Sequence, residues 1–129
     1  MCSYKLSENT GKSPELYSLY RRIKINCCSE WKANSREFYA WYEKQFKLQD
    51  GRCKYCHLTG NTWEHYGKLF RGGRRGRRLE VDRIASKEPY SPDNCVLACY
   101  PCNNAKSDVF SYEKFLEIGQ SIKRIKTII

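Results

Sequence analysis

The cysteines at Cys53-x-x-Cys56 and Cys99-x-x-Cys102 carry the most chemical content in this chain. Two cysteines separated by two residues can bite one ion from a single turn. Two such turns supply four soft thiolates, the set a tetrahedral structural zinc takes. Residues 57–98 lie between them, more than a minimal zinc ribbon holds, so the spacing predicts a subdomain closed by the metal. Such a clip contributes on the order of 10 kcal/mol of folding free energy, because the unfolded chain holds no preformed site. A redox dithiol or two disulfides are the plainer alternatives. A redox motif needs one Cys-x-x-Cys beside a βαβ unit, which two matched copies flanking a strand pair fit poorly. Of the remaining cysteines, Cys27 and Cys95 read as small core residues, while Cys2 and Cys28 carry no signal.

Overlapping the second half of the zinc-closed segment is LEVDRIASKEPYSPDNCVLACYPCNNAKSD, from Leu79 to Asp108. With both cysteine turns, this stretch resembles the HNH endonucleases of the ββα-metal group: Cys-x-x-Cys, strand, loop with asparagine, strand, Cys-x-x-Cys, helix. The match runs from Cys53 to Asp108, and Trp41-Tyr42 and Tyr90-Ser91-Pro92 strengthen it. More narrowly, it resembles the small zinc-bearing restriction and phage HNH enzymes that read Val-Asp-Arg where most of the family reads Asp-His. The combined spacing is specific, whereas its three-residue pieces are not.

Phosphodiester hydrolysis gathers negative charge on the phosphorus oxygens and the leaving 3′ oxygen, so a divalent cation and a guanidinium are useful there. Asp82 at a strand end and Asn103 at a helix start supply two hard oxygen ligands suited to Mg²⁺, with Mn²⁺ able to substitute. The resemblance makes them the family's metal ligands; the plainer reading is a carboxylate and an amide that cap the backbone. Asn94 matches the middle asparagine, which in such enzymes braces the loop. Arg83 stands where the usual general-base histidine stands, and a guanidinium cannot accept a proton from water. Either the chain is inactive and Arg83 only binds phosphate, or another group activates the nucleophile while Arg83 stabilises charge. The Asp-Arg subgroup includes active enzymes that use a tyrosine for this task, and Tyr42 resembles that tyrosine. A neighbouring Arg⁺ and metal would have to lower its pKa. An aromatic stripe on a helix is also ordinary core. Tyr90 is the next phenol, and reads first as loop packing. His57 follows a zinc cysteine and reads as packing or a donor to a thiolate; His65 reads as exposed. Lys106, one helical turn past Asn103, could touch a phosphate or be solvated.

Between Lys68 and Arg78 stand Lys68, Arg71, Arg74, Arg75, Arg77 and Arg78, with no acid among them. Such a loop can clamp phosphates by counterion release or reach base edges with bidentate guanidiniums. Neutralising about six phosphates gives a log-log salt slope near roughly −5. A solvated surface loop is the alternative.

These residues need elements to hold them. Ser13-Pro14-Glu15 opens a first helix with Leu16, Leu19, Tyr20, Ile23 and Cys27 on one face and Arg21, Arg22 and Lys24 mostly outside. A second starts near Ser35, carries Phe38, Trp41, Tyr42 and Phe46 on one stripe, and stops at Gln49-Asp50-Gly51. Residues 57–78 read as an irregular hairpin. Arg77 to Ile84 alternates Leu79, Val81 and Arg83 against Glu80 and Asp82, the pattern of a half-buried strand. A second short strand follows around Val96-Leu97-Ala98, then a helix start over Pro101 to Val109. Ser111 caps a last helix with Phe115, Ile118, Ile122 and Ile125 on one side.

The expected fold class is α+β: a ββα-metal (HNH) core stapled by the four-cysteine zinc site, with flanking N- and C-terminal helices. One domain spans 1–129, divided into a helical part (1–50), the zinc-stapled core (51–109) and a last helix (110–129). The 129 residues carry a formal charge of +10, 40% hydrophobic and 14% aromatic residues. That composition excludes a disordered basic arm and points to a polyanionic partner. No stretch approaches a membrane span, and Met1 to Thr10 lacks the apolar block of a secretory signal, so an intracellular, cytoplasmic protein is expected. The function these features imply is metal-dependent, restriction-type cleavage of double-stranded DNA by a homodimer. A monomeric nicking or homing endonuclease and a noncatalytic zinc module that binds nucleic acid are the rivals.

Overall fold

A computed structural model of the chain describes residues 14–24, 29–31, 34–63 and 78–128. In chain order it comprises α1 (Pro14–Lys24), α2 (Ser35–Leu48), a 3-10 turn (Gly60–Trp63), β1 (Glu80–Arg83), β2 (Cys95–Ala98), α3 (Tyr100–Lys106) and α4 (Tyr112–Ile128). This is a mixed α+β fold whose centre is an antiparallel strand pair followed by a short helix. Among the described residues, no helix is long and apolar enough to cross a membrane.

Helix α1 buries Leu19, Tyr20 and Ile23, the expected face; Cys27 lies outside the described residues, as do Cys2 and Cys28. The Tyr20 hydroxyl donates to the Trp31 carbonyl at 3.0 Å and its ring lies 5.6 Å from Phe38. Helix α2 is capped by Asn34, whose side chain accepts from the Glu37 amide at 3.1 Å, satisfying one donor of the first turn. Phe38 is fully buried against Trp31, with ring centroids 5.2 Å apart. The aromatic stripe does not stay inside along its whole length: Phe46 is exposed, stacks on Tyr42 and overlies Gly51. The helix ends through Asp50 and Gly51, both at positive φ, +56° and +69°. The Gln49 side chain then bridges to β2, donating to the Leu97 carbonyl at 2.9 Å and accepting from the Leu97 amide at 3.0 Å. It satisfies strand edge groups that would otherwise need a third strand.

The strand pair has the register Glu80↔Ala98, Val81↔Leu97, Asp82↔Val96 and Arg83↔Cys95. The expected in-and-out alternation of β1 does not hold, since Glu80 and Asp82 are as buried as Val81, and Arg83 is the least buried of the four. The sheet is covered on both faces, and its acids stay inside because they are paired. Glu80 accepts from Arg22 at 2.7 Å and from Arg78 at 3.1 Å. All of β2 is buried.

Helix α4 begins where Ser111 accepts from the Lys114 amide at 3.1 Å. Phe115 packs edge-on to Tyr55 at 5.2 Å, while Ile125, expected on the inner side, is exposed near the end of the helix. Gly119 is where α4 meets the first cysteine turn. A Cβ there would lie 2.3 Å from the Tyr55 carbonyl oxygen, so only glycine permits this approach. In the stretch read as an irregular hairpin, the structure has an Arg52↔Thr59 bridge and the 3-10 turn; residues 64–77 lie outside the described residues. Gly60 backs onto the main chain of Arg78 and Leu79, with 3.1 Å between an added Cβ and the nearest backbone atoms.

Candidate active site

The two cysteine turns meet at one point. Cys53, Cys56, Cys99 and Cys102 are all buried, and their sulfurs lie within 4.8 Å of one another, with Cys56 and Cys99 at 3.7 Å. A tetrahedral ion with Zn–S distances of about 2.3 Å requires sulfurs roughly 3.8 Å apart, a spacing that Cys56 and Cys99 hold. The first turn is pinned by the Lys54 amide donating to the Leu97 carbonyl at 2.9 Å and the Tyr55 amide to the Cys53 sulfur at 3.4 Å. Hydrogen bonds from the other thiols, Cys102 foremost, pull the Cys53 thiol far below the usual range, while the bond with Cys53 raises Cys102. The donor set fits zinc, and Cys99 immediately precedes α3 while Cys102 sits in its first turn.

That closure aims the strand end at the helix start. Asp82 in β1 and Asn103 in α3 line one cavity of about 140 Å³, together with Val81, Arg83, Ser86, Tyr90, Ser107 and Asp108. Asp82 is buried, and its Oδ2 accepts from the Tyr55 hydroxyl and lies 3.3 Å from the Lys106 ammonium. Burial pushes the Asp82 carboxyl above the usual carboxylate range, against the pull of Tyr55 and Lys106. Burial, then the Asp82 charge, raises the Tyr55 phenol. The buried Asp82 carboxylate, the Asn103 carboxamide, the exposed Asp108 carboxylate and the hydroxyls of Ser86, Tyr90 and Ser107 around this small polar cavity are hard oxygen donors of the kind Mg²⁺ takes, with room for water or phosphate.

Arg83 lines the same cavity, with its guanidinium 4.6 Å above the Tyr90 ring and a hydrogen bond to the Glu88 carbonyl at 3.2 Å. Burial raises the Tyr90 phenol and Arg83 lowers it. Asn94 ties the inter-strand loop together. Its Oδ1 accepts from the Ala85 amide at 2.9 Å, and its Nδ2 donates to the carbonyls of Ala85 at 3.0 Å and Pro89 at 2.9 Å.

The structure does not bring Tyr42 to this group. Its hydroxyl donates to the Leu79 carbonyl at 2.7 Å, in a separate and larger cavity of about 670 Å³ lined by Phe46, Lys47, Asp50, Asn61 and Arg78. Burial raises its pKa, and Arg78 pulls it down only in part. Lys106, read as a phosphate contact or a solvated side chain, is neither, because it is fully buried and donates to the Arg83 carbonyl at 3.0 Å. His57 is exposed, at φ +61°. His65 and the basic residues Lys68, Arg71, Arg74, Arg75 and Arg77 lie outside the described residues; Arg78 is held by Glu80 and by the Ser18 hydroxyl at 3.1 Å. The residue that sequence reasoning missed is Tyr55. Its signal was a large aromatic inside a metal turn, Cys53-Lys54-Tyr55-Cys56, where a side chain of that size must find cover.

The sequence matches no family model and no curated protein. Among solved structures, it is similar to the rare-cutting HNH restriction endonuclease PacI, with 26% identity and a TM-score of 0.65, covering 96% of this chain and 89% of that one. The α+β architecture and the four-cysteine site therefore match an HNH restriction endonuclease fold.

Proposed function

We propose that this chain, with its HNH restriction endonuclease fold, is a metal-dependent endonuclease that hydrolyses phosphodiester bonds in double-stranded DNA, of sequence-specific restriction type. The observation that carries this reading is the convergence of Asp82, Asn103 and Arg83 on one small polar cavity beside a four-thiol cluster. Zinc on Cys53, Cys56, Cys99 and Cys102 would hold the strand pair against α3. Asp82 and Asn103 would hold Mg²⁺ or Mn²⁺, which would polarise the scissile phosphate and offset charge on the leaving oxygen. Arg83 binds the phosphate, and Asn94 keeps the Arg83 loop in shape. For the base we favour Tyr55 over Tyr42, since Tyr55 alone of the two is bonded to Asp82. Burial first, and then the Asp82 charge, raise the Tyr55 pKa, and engagement of that carboxylate by a cation would relieve the second of these. The +10 charge and the basic run Lys68–Arg78 support DNA as the partner.

One such cavity cuts one strand, so a double-strand cutter of this size acts as a homodimer on a symmetric site. The test incubates zinc-loaded protein with plasmid and linear DNA in Mg²⁺ or Mn²⁺, beside Asp82→Ala. Nicking or linearisation by the wild type, lost by about 10³-fold or more in Asp82→Ala, is expected. An inert wild type that still retards DNA in every metal favours the noncatalytic binding module.

A further inference from the structure

We infer that the hydrolytic cation is not held by the free protein but enters with DNA, because the protein has already neutralised the cavity and the scissile phosphate brings the missing negative charge. This rests on the metal-dependent reading above and adds an order of assembly to it.

The residue that decides the matter is Lys106. Its ammonium sits 3.3 Å from Asp82 Oδ2 and donates to the Arg83 carbonyl at 3.0 Å. Both side chains are nearly inaccessible, 2% and 7% exposed, so the lysine cannot leave for solvent when another cation arrives. The same Oδ2 also accepts from Tyr55. Asp82 therefore offers an incoming cation one oxygen, Oδ1, from a carboxylate whose charge is already matched. The other charged groups lining the cavity are Arg83 and the exposed Asp108, one of each sign. Two carboxylates are thus balanced by two cations, Lys106 and Arg83, and the remaining donors, Asn103, Ser86, Tyr90 and Ser107, are neutral.

Divalent cations bind protein sites through carboxylate charge, and a buried ammonium repels them with little screening. A phosphodiester supplies a full negative charge and hard oxygens, and Arg83 is placed to receive it. The two ligands should therefore bind with positive coupling, equal in both directions.

Mn²⁺ binding to the zinc-loaded protein, followed by titration calorimetry and electron paramagnetic resonance, tests this with the dinucleotide thymidylyl-(3′→5′)-thymidine as the phosphodiester probe. The wild type should bind Mn²⁺ at least about tenfold more tightly when the probe is saturating, and the probe's own affinity should rise by the same factor in Mn²⁺. Lys106→Met removes the competing ammonium, so its probe-free Mn²⁺ affinity should rise at least several-fold and the coupling should shrink, while Lys106→Arg should retain the wild-type pattern. Equal Mn²⁺ affinity with and without probe in the wild type overturns the inference, as does weaker probe-free binding in a zinc-replete Lys106→Met. If Lys106→Met fails to retain zinc, the wild-type comparison alone decides. Absence of any Mn²⁺ binding sensitive to Asp82→Asn, together with absence of DNA cleavage, removes the metal-dependent reading itself and the inference with it.

Discussion

Two tyrosines separate the chemical from the structural use of a phenol. Tyr55→Phe deletes the hydroxyl bonded to Asp82 and should slow DNA cleavage by about 10²- to 10⁴-fold with zinc content unchanged. Tyr42→Phe deletes the donor to the Leu79 carbonyl and should cost about 1–3 kcal/mol in urea unfolding while cleavage stays within a few-fold. The sequence pointed to Tyr42 because Trp41-Tyr42 stands just before the first cysteine turn. It hid Tyr55 because the flanking cysteines already explained that turn. Lys106 was equally opaque, since a lysine on a short helix reads as solvated unless the carboxylate beneath it is known. Cys95 gives a pH test. Burial pushes its thiol from 9.0 up to about 12, so between those values the unfolded chain has released the proton and the folded chain retains it. Stability from this group is complete below about pH 9 and lost as pH rises toward about 12. Urea midpoints should fall over that window, and less steeply in Cys95→Ala.

At the scale of elements, the packing of α4 on the first cysteine turn depends on one missing methyl. Gly119→Ala puts a carbon against the Tyr55 main chain and should cost about 1–3 kcal/mol by overpacking, with a lower Tm and weaker zinc retention under chelator. Because Tyr55 lies in that turn, cleavage should fall as well, though the substituted helix position is not in the cavity. The helices were the most legible part of the sequence: Pro14, the start near Ser35, the stop at Gln49 to Gly51 and the Ser111 cap mark ends that the structure keeps. Strand β1 was placed but its faces were misassigned, since alternation assumes one wet face and here Arg22, Arg78, Tyr55 and Lys106 allow both acids to be buried. Ile125 was misplaced because periodicity continues to the end of a helix whether or not anything packs there.

For the molecule as a whole, the proposed zinc would be the main determinant of stability. A chelator strong enough to empty the four-thiol cluster should unfold the core, with a loss on the order of 10 kcal/mol, followed by near-ultraviolet circular dichroism. Spacing alone announced this cluster, because four thiolates in two turns have few other uses. The convergence of Asp82 and Asn103 came from family resemblance, as no local pattern tells a strand-end carboxylate which helix it will face. The close approach of Gly60 to the Arg78–Leu79 main chain has a wider consequence. Gly60 and Arg78 are held together by the described backbone itself, so the stretch of chain that joins them needs no contact of its own to bring its ends together. Doubling its length would cost only about 0.6 kcal/mol of closure entropy. The run proposed to contact DNA can thus change in length and sequence while Asp82, Asn103 and the four cysteines keep their places.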